Sequence, residues 1–176
     1  MTVGEPREPA ESVARPMTAG PPGAAAAAEE VAETAREFIT GLLSAMGLQA
    51  DVTALVSGGR AVLEVAGEDL GLLIGRRGQT LEALQELTRT VVQRRLQTRA
   101  VMLVDVQGYR ARRRASLAEY ARSIAQRAKE RGTEIELEPM NSFERKIVHD
   151  AVAEVEGATS FSEGVEPSRK VIVRAE

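Results

Sequence analysis

Leu72-Leu73-Ile74-Gly75-Arg76-Arg77-Gly78-Gln79-Thr80-Leu81 is the stretch on which the reading of this chain turns. A Gly-x-x-Gly turn stands between two apolar segments, and both of its central residues are arginines. Glycines allow a sharp turn and let a phosphate approach the backbone closely. Arginines add charge and forked donors. A helix starting at Gln79 aims free N–H groups and the positive end of its dipole at the same point. Together these are the parts of a nucleic-acid backbone clamp. A Walker-type loop needs Gly-x-x-x-x-Gly-Lys-Ser/Thr, which is absent. A dinucleotide fingerprint lacks its third glycine.

Working outward, the residues before the loop predict a helix, a hairpin and a short apolar turn. Val31, Ala35, Phe38, Leu42 and Met46 recur at helical spacing from Glu29 to Met46, and Gly47 ends the run. Val52–Val56 and Ala61–Val65 flank Ser57-Gly58-Gly59-Arg60, a hairpin signal. After the loop, Leu81, Leu84, Leu87 or Thr88, and Val91 mark a second helix to about Leu96. Val101–Val106 is a strand. Residues 1–28 are rich in Pro, Gly, Ala and Glu without apolar periodicity, and read as a disordered tail.

A second unit follows. Tyr109–Arg131 is a long helix with Leu117, Ala121, Ile124 and Ala128 as its apolar stripe, stopped by Gly132. Arg110, Arg112, Arg113 and Arg114 crowd its first turns, where they oppose the dipole, so they are expected to serve as a secondary basic patch. Glu134–Leu137 is a short strand. Asn141 or Ser142 caps a helix to about Glu156, and strands are expected at Thr159–Ser162 and Lys170–Arg174. The chain divides near Gln107 into two small units.

The chain has 176 residues, a net charge of −3 and no cysteine. That excludes disulfides, thiolate metal sites and cysteine nucleophiles. Charge is unevenly placed: Arg76–Arg131 holds fourteen Arg or Lys against five Asp or Glu. Such a patch steers polyanions. Five aromatic rings (Phe38, Tyr109, Tyr120, Phe143, Phe161) are few for a protein that reads bases by stacking, so contacts to the backbone are expected to dominate. No apolar run approaches a membrane span and no signal pattern opens the chain, which points to the cytoplasm. One histidine, no cysteine and no carboxylates at metal spacing argue against an enzyme, a metal or a cofactor.

That histidine lies in Arg145-Lys146-Ile147-Val148-His149. Four residues apart on a helix, Arg145 and His149 share a face, roughly 40° apart in projection. Phe143, Ile147, Ala151 and Val155 lie on a different side and are expected to pack inward. A lone histidine is more often a structural residue than a functional one, by about two to one.

In this setting the Gly-x-x-Gly segment resembles the KH domain in its bacterial, type II arrangement. Ser142-Phe143-Glu144-Arg145-Lys146-Ile147-Val148-His149, with Pro167-Ser168-Arg169-Lys170 further on, resembles the Arg-x-x-x-His, or R-three-H, domain. A KH domain followed by an R-three-H domain is similar to the bacterial Jag-type (KhpB) RNA-binding family, over about residues 29–174. The implied fold is α+β: two small α/β-sandwich domains, KH at 29–107 and R-three-H at 108–176, behind a disordered tail. The resemblance implies a single-stranded RNA-binding protein, with DNA not excluded. It implies phosphate contacts from Gly75, Arg76, Arg77, Gly78, Arg145, Lys146, His149, Arg169 and Lys170. Ile74 and Gln79 would floor the groove under the bases. It further implies RNA chaperoning or post-transcriptional control touching cell division and envelope growth, with a small separate KH-domain protein as a partner. Many members carry an extra N-terminal domain, and no role of that domain is carried over to residues 1–28. The rival reading is a protein-interaction adaptor linked to membrane-protein insertion or cell division.

Overall fold

The computed structural model describes residues 22–176. Most of the expected tail, residues 1–21, lies outside the described residues. The first helix, α1 (Pro22–Ala45), starts seven residues earlier than expected from Glu29. Alanine is the strongest helix former, and proline suits the first helical position. The Pro22–Ala28 segment therefore propagates the helix.

Strands β1 (Ala50–Ser57) and β2 (Arg60–Gly67) pair antiparallel around Gly58 and Gly59, whose φ values are +58° and +74°. Two central residues with positive φ match the tight hairpin turn that follows strand twist. A short helix α2 (Gly71–Ile74) leads into a 3₁₀ turn at Arg76–Gly78 and then α3 (Gln79–Leu96). Strand β3 (Met102–Val106) runs parallel to β2, giving the sheet order β1-β2-β3. Helices α1 and α3 cover one face. Ile39, Leu43, Leu63, Leu81, Val92, Val104 and Val106 form the centre of this first core. Leu55, Val62 and Leu103 face the other side of the sheet, as their cross-strand register requires.

Helix α4 (Tyr109–Arg131) opens the second unit. Strand β4 (Ile135–Glu136), helix α5 (Ser142–Ala153), strand β5 (Ala158–Glu163) and strand β6 (Lys170–Ala175) complete it. The sheet order is β4-β6-β5, antiparallel throughout. Leu117, Ala121, Ile124 and Ala128 of α4 pack with Val148 and Val152 of α5 on Val171 and Val173. Asn141 is the cap of α5, its side chain accepting the Glu144 N–H at 2.9 Å. The α+β architecture of two small sandwiches is as expected.

Three apolar stripes are displaced from their expected positions. On α1 the core is lined by Val31, Ala35, Ile39 and Leu43; Phe38 and Leu42 flank it, and Met46 is 46% exposed. The buried residues keep a four-residue step, whereas the three-residue step from Ala35 to Phe38 turns Phe38 and Leu42 to the edge of that face, and Met46 lies beyond the end of the helix at Ala45. On α3, Val92 takes the buried place expected for Val91; of the two alternatives before it, Leu87 is exposed and Thr88 is buried. Thr88 tolerates this because its hydroxyl donates to the Leu84 carbonyl at 2.7 Å. On α5, Phe143 is 57% exposed, against the expectation that it packs inward, and Glu144 is buried instead. The cause is an ion pair with Arg113 of α4, described below.

Candidate nucleic-acid interface

The Gly-x-x-Gly loop is built from left-handed backbone. Gly75 has φ +70° and ψ −174°, a region open essentially to glycine, and its N–H closes α2 on the Gly71 carbonyl at 2.9 Å. A Cβ on Gly75 would overlap the Thr80 hydroxyl. Gly75→Ala is therefore expected to lower stability by about 2 kcal/mol, read from denaturant unfolding. An unchanged midpoint would contradict the strained geometry. Gly78, at φ +81°, precedes α3, and a Cβ there would come 2.7 Å from Cε1 of Tyr109. The second glycine thus admits the ring of the first α4 residue. Burial raises the Tyr109 phenol above its ordinary pKa.

The two central arginines diverge. The Arg76 side chain is exposed and makes no hydrogen bond or ion pair among the described residues. Arg77, at φ +53°, donates to the Pro139 carbonyl at 3.0 Å and pairs with Glu138. Ile74 is half-buried against the first core, and Gln79 is exposed at the head of α3.

The arginines of α4 are largely engaged by the protein itself: Arg110 reaches across to the KH unit, while Arg113 and Arg114 reach α5 within the second unit. Arg110 donates to the Val104 carbonyl at 3.0 Å and to Gln85 at 3.1 Å. Arg112 reaches the Gln107 carbonyl. Arg113 pairs with Glu144 at 2.8 Å. Arg114 lies over the Phe143 ring, 5.4 Å from its centroid.

In the second motif, Arg145 and His149 do share a side of α5, but it is not an idle one. The Arg145 side chain is only 11% exposed; it donates to the Met140 carbonyl at 2.8 Å and pairs with Glu166 at 2.7 Å. His149 is held at both ring nitrogens, by Ser160 Oγ at 2.7 Å and Ser162 Oγ at 2.8 Å. These serines stand two apart on β5 and so share a face. Alternation of small polar residues opposite a lone histidine was the signal that could have found them. Lys146 pairs with Asp150 at 2.5 Å and Lys170 with Glu136 at 2.6 Å. The side chain of Arg169 is exposed and makes no hydrogen bond or ion pair among the described residues.

Four consecutive residues join the two motifs. Glu138 and Pro139 receive Arg77, Met140 receives Arg145, and Asn141 donates to Glu82 on α3 at 3.1 Å. The phosphate-clamp loop and the Arg-x-x-x-His helix therefore meet on one segment, although 62 residues separate Arg77 from Pro139.

Burial, then the charges of Arg145 and Arg169, lowers the His149 pKa; the nearby Asp150 charge opposes this. The unfolded chain, with its histidine near pH 6.5, then binds more protons than the folded chain just below that pH. Stability from this group is full above about pH 6.5 and is lost as pH falls towards the lower folded value. The thermal midpoint advantage of the natural chain over His149→Gln is expected to narrow between pH 7.5 and pH 5. A constant gap would show that His149 does not titrate this way.

Comparison with known proteins matches the KH-domain model of KhpA and KhpB to residues 32–104 and the R-three-H domain model to residues 115–175. The chain is 35% identical over 147 residues to the RNA-binding protein KhpB of Clostridium symbiosum, covering 82% of this chain and 66% of that one. It is 34% identical over 168 residues to the KhpB of Lactiplantibacillus plantarum, covering 96% and 49%. With the Bacillus subtilis KhpB the identity is 35% over 121 residues, covering 69% and 58%.

This chain belongs to the KhpB family. It spans about half to two thirds of the length of these KhpB relatives. Residues 105–114, between the two matched regions, include Arg110, which binds the KH unit through the Val104 carbonyl and Gln85.

Proposed function

We propose that this chain binds single-stranded RNA by phosphate capture at the Gly-x-x-Gly loop, supported by the R-three-H surface. The observation that carries the reading is Arg76: an exposed cation without a side-chain partner among the described residues, on a glycine-shaped loop that leads into an 18-residue helix. Amide groups at the head of α3 reinforce it. Arg169 and Lys146 extend the basic surface, while Arg145 and His149 shape it through Glu166 and the two serines. His149 is mostly neutral near pH 7, so it serves as a hydrogen-bonding scaffold and RNA affinity changes little between pH 8 and pH 7.

The names of the KhpB relatives support RNA as the ligand. The role is binding rather than catalysis. No cluster of metal-ligating side chains occurs among the described residues, and no helix among them is long and apolar enough to cross a membrane. A cytoplasmic RNA chaperone or post-transcriptional regulator, connected with cell division and envelope growth and working beside a small KH protein, fits this chemistry.

The test is fluorescence anisotropy of a labelled single-stranded RNA across a salt series, beside the same sequence as DNA. Binding should weaken steeply with salt, with a slope of about 0.7 per phosphate contacted. Absence of binding at low salt would leave the adaptor reading in its place.

A further inference from the structure

A cleft of about 730 Å³ lies between the KH and R-three-H units, within the size of ordinary ligand sites. Its lining includes Arg60, Arg77, Arg110, Arg113 and Arg114, with Phe143 at the start of α5. Three of these arginines are committed: Arg77 to Glu138, Arg110 to Val104 and Gln85, Arg113 to Glu144. The side chains of Arg60 and Arg114 make no hydrogen bond or ion pair among the described residues. The acids of the lining are also committed. Asp105 accepts the Val106 and Arg110 N–H groups, Glu82 accepts from Asn141, and Glu144 holds Arg113. The cleft therefore keeps two arginine side chains without a hydrogen bond or ion pair among the described residues, while Asp105 and Glu82 are hydrogen-bonded and Glu144 is ion-paired.

Phe143 is the second observation. It is 57% exposed in a chain with few aromatic rings, and the Arg114 guanidinium occupies its face at 5.4 Å. A flat cation on an aromatic face marks a surface that also accepts a flat base, since bases stack on such rings and the stacking tolerates any sequence. We infer that this cleft seats a nucleobase of the bound strand on Phe143, with Arg114 displaced onto the adjoining phosphate and Arg60 taking the next one. This rests on the RNA-binding reading above and deepens it. The strand would then pass from the Gly-x-x-Gly loop, whose Gly78 and Arg77 line the same cleft, directly onto the R-three-H unit.

The chain lacks tryptophan, so Phe143→Trp introduces a single fluorophore at the stacking position. Titration of the full chain carrying this substitution with a single-stranded oligouridine should quench its emission, with affinity within about twofold of the natural chain. Phe143→Ala should bind the same RNA about 5- to 150-fold more weakly, the range found for loss of one stacked base. Its circular dichroism should be unchanged, because the ring is exposed. RNA binding by the natural chain with no quenching in Phe143→Trp and no loss in Phe143→Ala would overturn the cleft as a base site and leave the loop clamp standing. Absence of binding by the natural chain would overturn both.

Discussion

Arg76→Glu is expected to weaken binding of a short single-stranded RNA by about 10- to 100-fold near 100 mM salt, the loss of a charge-assisted contact worth roughly 1.5–3 kcal/mol. The slope of log affinity against log salt should fall by about 0.7, one single-strand phosphate contact. Stability should change by less than about 0.5 kcal/mol, because Arg76 is exposed and has no partner among the described residues. This separation of binding from folding makes Arg76 a cleaner probe than Arg77. Reversing Arg77 also sets two negative charges against each other at Glu138 and disturbs the contact between the two units. Anisotropy and denaturant unfolding on the same preparation check the result. An unchanged affinity with an unchanged salt slope would remove the loop from the binding surface.

Arg113→Ala should act in the opposite way, on stability first. The Glu144 side chain is 8% exposed, and Arg113 reaches one of its oxygens through both Nε and Nη2 at 2.8 Å. Removing one partner of a buried pair leaves an uncompensated charge, which costs about 3–5 kcal/mol. Arg113 is about a third exposed, so water reaches the pair and the lower end, about 3 kcal/mol, applies. A thermal midpoint lowered by roughly 10 °C or more is expected for a unit of this size. Arg113→Ala combined with Glu144→Ala should be less destabilised than the two single changes added together, since no unpaired carboxylate remains. Strict additivity would show that the pair contributes nothing beyond its separate side chains.

These two arginines illustrate how much of the site was legible in the chain. Both belong to the same basic stretch, and nothing local distinguishes them. Arg76 remains available because its neighbour Arg77, not Arg76, turns towards Glu138. Arg113, expected in a nucleic-acid patch, instead anchors α5 across 31 residues of sequence. The four arginines at the head of α4 oppose its dipole, and two of them are tied down there, Arg110 on the Val104 carbonyl and Arg113 on the Glu144 carboxylate. Similarly, the shared face of Arg145 and His149 followed from helical spacing, whereas their partners did not. Glu166, Ser160 and Ser162 come from β5 and the loop beyond it.

The sequence by itself determined the order of elements, the hairpin, the stops at glycine and the placement of the Gly-x-x-Gly turn at a helix start. These rest on local physics: backbone dihedrals open to glycine, helical periodicity, and the conformational preference of each short segment. Tertiary structure alone decided which face of α1 and α3 is buried, why Phe143 lies outside while Glu144 lies inside, and which cations stay open to a ligand. Those outcomes depend on partners far away in the chain. A charge finds its lowest free energy by pairing in space, and spacing along the sequence carries no record of that choice.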